Sequence, residues 1–114
     1  EAIRRIRAFD EAGADLLYVP LPPDMAALER IAASVDKPVN ALAAGPFTAV
    51  TLGQFATAGV RRVSIGSAMA RLTHKAIVDA TRAIIGHGDF SQLSNGVAGD
   101  TIDDLLVAGA GAPE

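Results

Sequence analysis

Apolar residues recur at helical spacing over residues 1–12, where Ile3, Ile6 and Phe9 share a face, with Ala2 and Ala8 beside them, and arginines and acids stand opposite. Gly13 follows where such a helix stops. The next stretch changes period: Asp15-Leu16-Leu17-Tyr18-Val19-Pro20 is a continuous apolar run, as expected of a strand covered on both faces. Pro22-Pro23-Asp24 ends it, and Asp24 is placed to cap a helix carrying Met25, Leu28, Ile31, Ala32 and Val35, closed by Asp36-Lys37-Pro38. A second strand covers residues 38–43, including Val39-Asn40-Ala41-Leu42-Ala43, and Ala44-Gly45-Pro46 stops it. Thr48 is the expected cap of a third helix with Val50, Leu52, Phe55 and Ala56, terminated by Gly59. The third strand is read at 62–66, through Arg62-Val63-Ser64-Ile65, and the Gly66-Ser67-Ala68 corner leads into a long helix from about Ala68 to Ile85. Beyond Gly86 the chain turns polar and glycine-containing, with a short helix over residues 100–106 whose acids stand at its favourable N-terminal end.

Strand starts near 15, 38 and 62 recur at intervals of 23 and 24 residues, one βα unit each. Phe9-Asp10-Glu11-Ala12-Gly13 before the first strand also matches Phe55-Ala56-Thr57-Ala58-Gly59 before the third, 46 positions on. Alternating strands and helices predict right-handed crossovers and a parallel sheet, an α/β class. Three strands cannot close a barrel, and an open three-stranded sheet leaves two unpaired edges. The expected architecture is therefore the C-terminal portion of a (β/α)8 TIM-type barrel, from helix five to helix eight, over residues 1–86. Residues 87–108 form an extension with a short helix, and residues 109–114 a disordered tail. A small self-contained three-layer α/β domain is the alternative.

Composition narrows the partners. The chain has 114 residues, half of them apolar, and a formal charge of −3 with its lysines and arginines scattered. That pattern predicts neither a nucleic-acid footprint nor attraction to an anionic membrane. No long uncharged apolar run marks a membrane span, and no apolar segment behind Glu1-Ala2-Ile3-Arg4-Arg5 reads as a signal peptide, so a soluble protein is expected. With no cysteine there are no disulfides, thiolate metal sites or cysteine nucleophile, which fits the cytoplasm.

Three motifs in order then carry a likeness: Ala12-Gly13-Ala14-Asp15 before the first strand, Lys37-Pro38-Val39 before the second, and Gly59-Val60-Arg61-Arg62-Val63 leading to Gly66-Ser67-Ala68. With the long helix and Gly88-Asp89-Phe90 after it, they resemble the last three strands of the isocitrate lyase and phosphoenolpyruvate mutase superfamily. The resemblance implies a (β/α)8 barrel that makes or breaks C–C or C–P bonds in small 2-oxo or phosphono acids, with Mg²⁺ holding an enolate-like intermediate. It also implies that the Mg²⁺ ligands and the flexible catalytic loop lie outside this segment, and that the eighth helix swaps between subunits of a homo-oligomer. Two other functions stay open: a non-catalytic module working by association, and a phosphate-binding barrel enzyme.

Barrel chemistry sits at the C-terminal ends of the strands. Three places there are in question. Pro20 stands where the family has a glutamate or a histidine, so no catalytic residue is expected within these residues. Asn40 can donate its amide to a substrate carboxylate or enolate oxygen, or make a structural hydrogen bond; the family's asparagine lies two residues on, where this chain has Leu42. Gly66 and Ser67 form either a plain helix cap or part of the substrate pocket, with the first helical N–H groups turned towards an anion. His74 and His87 lack a partner at metal-ligand spacing, and Asp100, Asp103 and Asp104 lack the glycine and glutamate of a calcium loop.

Overall fold

A computed structural model describes residues 1–111 of the chain, and the end of the expected disordered tail lies outside the described residues. The chain divides into two compact units, Glu1–Ala70 and Arg71–Glu114. In the first, helix α1 (Ala2–Glu11) precedes strand β1 (Leu17–Tyr18), α2 (Met25–Ala32), β2 (Val39–Leu42), a 3-10 turn (Gly45–Ala49), α3 (Leu52–Thr57) and β3 (Val60–Ser64). Helix α4 (Ala68–His87), a second 3-10 turn (Ser91–Asn95) and α5 (Gly99–Ala110) follow.

The three strands form one parallel sheet in the order β1-β2-β3, as the βα alternation predicts. β1 is only a bridge, because Pro20 has no N–H to extend a ladder. Its register is Leu17 against Val39 and Tyr18 against Asn40. Between β2 and β3 the register slips by one: Val39 faces Val60, whereas Asn40 faces Arg62, so Arg61 is the extra residue of a bulge. β3 therefore starts two residues before the expected strand, at Val60.

Helices α1, α2 and α3 cover one face of this sheet. Ile6, Leu17, Ile31 and Val39 make one buried cluster, and Leu28, Ala41, Phe47, Phe55 and Val60 the other. Each fully buried aliphatic or aromatic side chain here contributes about 1.5–3 kcal/mol relative to leaving it exposed. The repeated motif diverges at this point: Phe55 is 2% exposed, whereas Phe9 is 54% exposed. α1 packs on the edge strand β1, and Phe9 lies with Tyr18, Val19 and Pro20 around an open hollow of about 340 Å³.

Asp24 caps α2 as its position predicts, its carboxylate accepting from the Ala27 N–H at 2.7 Å. Asp24→Ala is expected to lower stability by about 1 kcal/mol, read as a shifted midpoint in urea unfolding, because that N–H loses its acceptor. The expected Thr48 cap is corrected. The Thr48 hydroxyl donates to the Gly45 carbonyl inside the 3-10 turn, and α3 is capped by Thr51, in a reciprocal capping box with Gln54. Pro46 at the start of that turn draws residues 45–49 into a separate element, which moves the helix start three residues on.

The long helix passes through Gly86 and ends at His87, two residues beyond the expected end at Ile85. Its stop is made by two bonds, Gly88 N–H to Ile84 O at 2.9 Å and Asp89 N–H to Ala83 O at 3.2 Å. The Asp89 carboxylate accepts from the backbone N–H and hydroxyl of Ser91, which hold its pKa below the ordinary aspartate value. α5 takes in Gly109 and Ala110, the first residues of the segment expected to be disordered, with Asp100 in its first turn. No helix among the described residues is long and apolar enough to cross a membrane.

Candidate functional site

The sheet face opposite the helices carries the polar side chains. Leu17, Val39 and Ala41 point into the helix-covered core, so the two-residue period turns Tyr18, Asn40 and Leu42 to the other side. On β3 the bulge resets the phase, and Arg62 and Ser64 join them while Val63 packs on the core.

Asn40 is the one buried polar side chain among the described residues, at 3% exposure. Its Nδ2 donates to Ser64 Oγ at 3.0 Å, and its Oδ1 accepts from Arg62 Nη1 at 3.1 Å. Ser64 Oγ in turn donates to the Ala41 carbonyl at 3.3 Å. This network holds the amide plane in place and leaves no buried side-chain polar atom unpaired among the described residues. Asn40 is thus joined to β3 by two bonds, both to residues that reading the sequence did not single out. Their signal is the alternation of Arg62 and Ser64 with Val63 and Ile65, which marks a two-sided strand.

Gly66 and Ser67 occupy the exposed turn between β3 and α4. Gly66 has φ +53, and a Cβ there would stand 3.4 Å from Leu42 Cδ1, so glycine both permits the backbone and keeps the turn close to the end of β2. The Ala68 N–H donates to the Ile65 carbonyl at 3.0 Å, closing the corner. Asn40 and the corner are linked along the chain by Ser64, which bonds the first and lies two residues before Gly66. At the end of β1, Pro20 is exposed and Leu21 has φ +45, a left-handed conformation that costs a non-glycine residue about 1–2 kcal/mol. Such strain gathers at binding and catalytic loops.

The Mg²⁺ that the resemblance implies finds no donor set here. No group of three or more His, Asp or Glu side chains able to hold a metal occurs among the described residues. Residues 18–21, 42–44 and 64–67, at the three strand ends, include no carboxylate and no imidazole.

The sequence profile of the phosphoenolpyruvate phosphomutase family matches residues 1–85. The chain belongs to that family. A solved structure from Burkholderia cenocepacia J2315, described as a lyase/mutase, is similar at 31% identity and a TM-score of 0.85, over 98% of this chain and 39% of its own. A second from the same organism, described as a phosphonomutase, shares 30% identity with a TM-score of 0.61, over 77% of this chain and 33% of its own. No curated protein matches the chain. The chain thus spans about two fifths of the length of the first neighbour. The expected architecture holds: in this phosphoenolpyruvate phosphomutase family member, the parallel strands and their helices match part of a TIM-type barrel. The uncovered polar face corresponds to the inside of that barrel, since barrel helices form the outer ring.

Proposed function

We propose that this chain supplies wall and pocket floor to a Mg²⁺-dependent enzyme of the lyase/mutase type, acting on a small 2-oxo or phosphono acid through an enolate-like intermediate. The observation that carries this reading is the fixed amide of Asn40, on a parallel sheet that matches the phosphoenolpyruvate phosphomutase family and a solved structure described as a lyase/mutase. One Nδ2 hydrogen is used by Ser64, and the second is assigned to the substrate. Gly66 and Ser67 close the pocket at the head of α4, where backbone N–H groups favour an anionic oxygen. Preorganised donors of this kind stabilise charge that develops on an oxo oxygen. Mg²⁺ would act as the Lewis acid, held by residues outside this segment, and the residues described here bind and orient.

The same proposal places the protein in the cytoplasm as a homo-oligomer in which the eighth helix, α4, docks on another subunit. Support for that docking comes from α4 having no buried residue, with Met69, Leu72, Ile77 and Ile85 each more than half exposed.

The test is a chimera in which this chain replaces the matching 39% of the Burkholderia cenocepacia protein described as a lyase/mutase. With Mg²⁺, consumption of oxaloacetate or phosphonopyruvate is expected, and Asn40→Ala is expected to lower kcat/KM by roughly 10²-fold as a donor to the developing charge is lost. A chimera with the circular dichroism of a folded barrel that consumes no 2-oxo or phosphono acid defeats the reading.

A further inference from the structure

We propose that Arg62, held by Asn40, is an oxyanion clamp on the open face of the sheet, taking the carboxylate or phosphono group of a small acid. For its substrate class the proposal rests on the function proposed above. Its physical basis is separate.

The bulge comes first. With regular pairing after Val39 and Val60, Arg61 would stand opposite Asn40 and the Arg62 side chain would turn to the helices. The extra residue brings Arg62 into register with Asn40 instead. Arg61 lies in a different place, lining an open hollow with Glu29, Asp36 and Lys37. Bulges that re-aim a side chain are found beside active sites.

The partner comes second. Arg62 Nη1 donates to an amide oxygen, not to a carboxylate. Among the described residues the ion pairs are Arg4 with Glu1 and Lys75 with Asp79, so the charge of Arg62 is oriented without being neutralised. Asn40 is itself buried and fixed through Ser64, which keeps its oxygen turned to Arg62. Arg62 is exposed, and its remaining N–H groups form the planar fork that fits two oxygens of one anion. Tyr18 is the register partner of Asn40 on β1. An oriented guanidinium that no described residue neutralises, on the face that matches a barrel interior, is suited to an anion. A diffusible acid meets that need.

The test is binding of oxalate and of methylphosphonate to the purified chain, followed by NMR shift titration, with circular dichroism to establish that each variant is folded. Arg62→Met is expected to weaken binding by at least about tenfold. Asn40→Asp, which keeps the size of the side chain but neutralises Arg62 directly, is expected to weaken it comparably. Arg61→Met removes the same charge one residue away and is expected to leave binding within about twofold, because screened, non-specific attraction is not what holds the ligand. Preference between the two probes tells carboxylate from phosphono recognition. Absence of binding by the unaltered chain, or equal losses in Arg61→Met and Arg62→Met, overturns the clamp. In the chimera, Arg62→Met is expected to raise KM more than it lowers kcat. Turnover indifferent to Arg62→Met would instead assign the arginine to a carboxylate side chain of the barrel, and the clamp would fall while the enzymatic reading stood. Binding through Arg62 without any turnover would have the reverse meaning.

Discussion

Phe55→Ala is expected to destabilise the unit Glu1–Ala70 by about 3–5 kcal/mol. Phe55 is 2% exposed and sits among Leu28, Ala41, Phe47 and Val60, with its ring centroid 6.2 Å from that of Phe47. Truncation removes the transfer free energy of the ring and opens a cavity between α3 and the sheet, which β2 and β3 are too constrained by their ladder to refill. A unit of this size has a total stability of only about 4–10 kcal/mol, so the loss is a large share of it. Urea unfolding followed by far-UV circular dichroism measures the effect. Phe9→Ala, at the matching place in the repeated motif, is the internal comparison. Its ring is 54% exposed, and a change below about 1 kcal/mol is expected there. Equal losses at the two positions would contradict the packing described.

Gly59→Val carries the second large effect, about 2–5 kcal/mol. Gly59 has φ +85, and a Cβ placed there would stand 3.2 Å from the Ala32 Cβ. A β-branched residue meets both penalties: about 1–2 kcal/mol for the left-handed backbone, and about 1–3 kcal/mol for forcing α2 away from the turn before β3. Gly13 separates the two terms. Its φ is +92, but nothing lies within 4 Å of its added Cβ, so Gly13→Ala is expected to show the backbone cost alone. Thermal midpoints of the two variants check the difference. Gly13→Ala falling as far as Gly59→Val would mean that the contact with Ala32 carries no weight.

The two halves of the motif repeat show why patterns in the chain stop short of packing. Phe9 and Phe55 sit in the same local sequence and begin from the same helical phase, yet one is exposed and the other is core. Both helices lie on an edge strand, α1 on β1 and α3 on β3; what differs is which side chain each turns to the core, Ile6 in α1 and Phe55 in α3. The cap of α3 shows a local rule misapplied for a local reason. Thr48 and Thr51 are both capping residues by type, and only Thr51 has a Gln three positions later to complete the box, a signal present in the sequence. Of the candidate site, Asn40, Gly66 and Ser67 were legible from strand ends and residue type. Arg62 and Ser64 were not singled out, although their alternation with Val63 and Ile65 puts them on one face; that this face is the one that meets Asn40 depends on the bulge at Arg61.

By itself the sequence determined the order of strands and helices, the Asp24 cap, the parallel α/β class and the family likeness, since each depends on periodicity, breakers and residue types within a few positions of one another. Tertiary structure alone decided which arginine meets Asn40. That choice belongs to the pairing of β2 with β3, where one extra residue reverses the facing of all that follows, and side-chain facing in a sheet is a property of register between strands rather than of either strand alone.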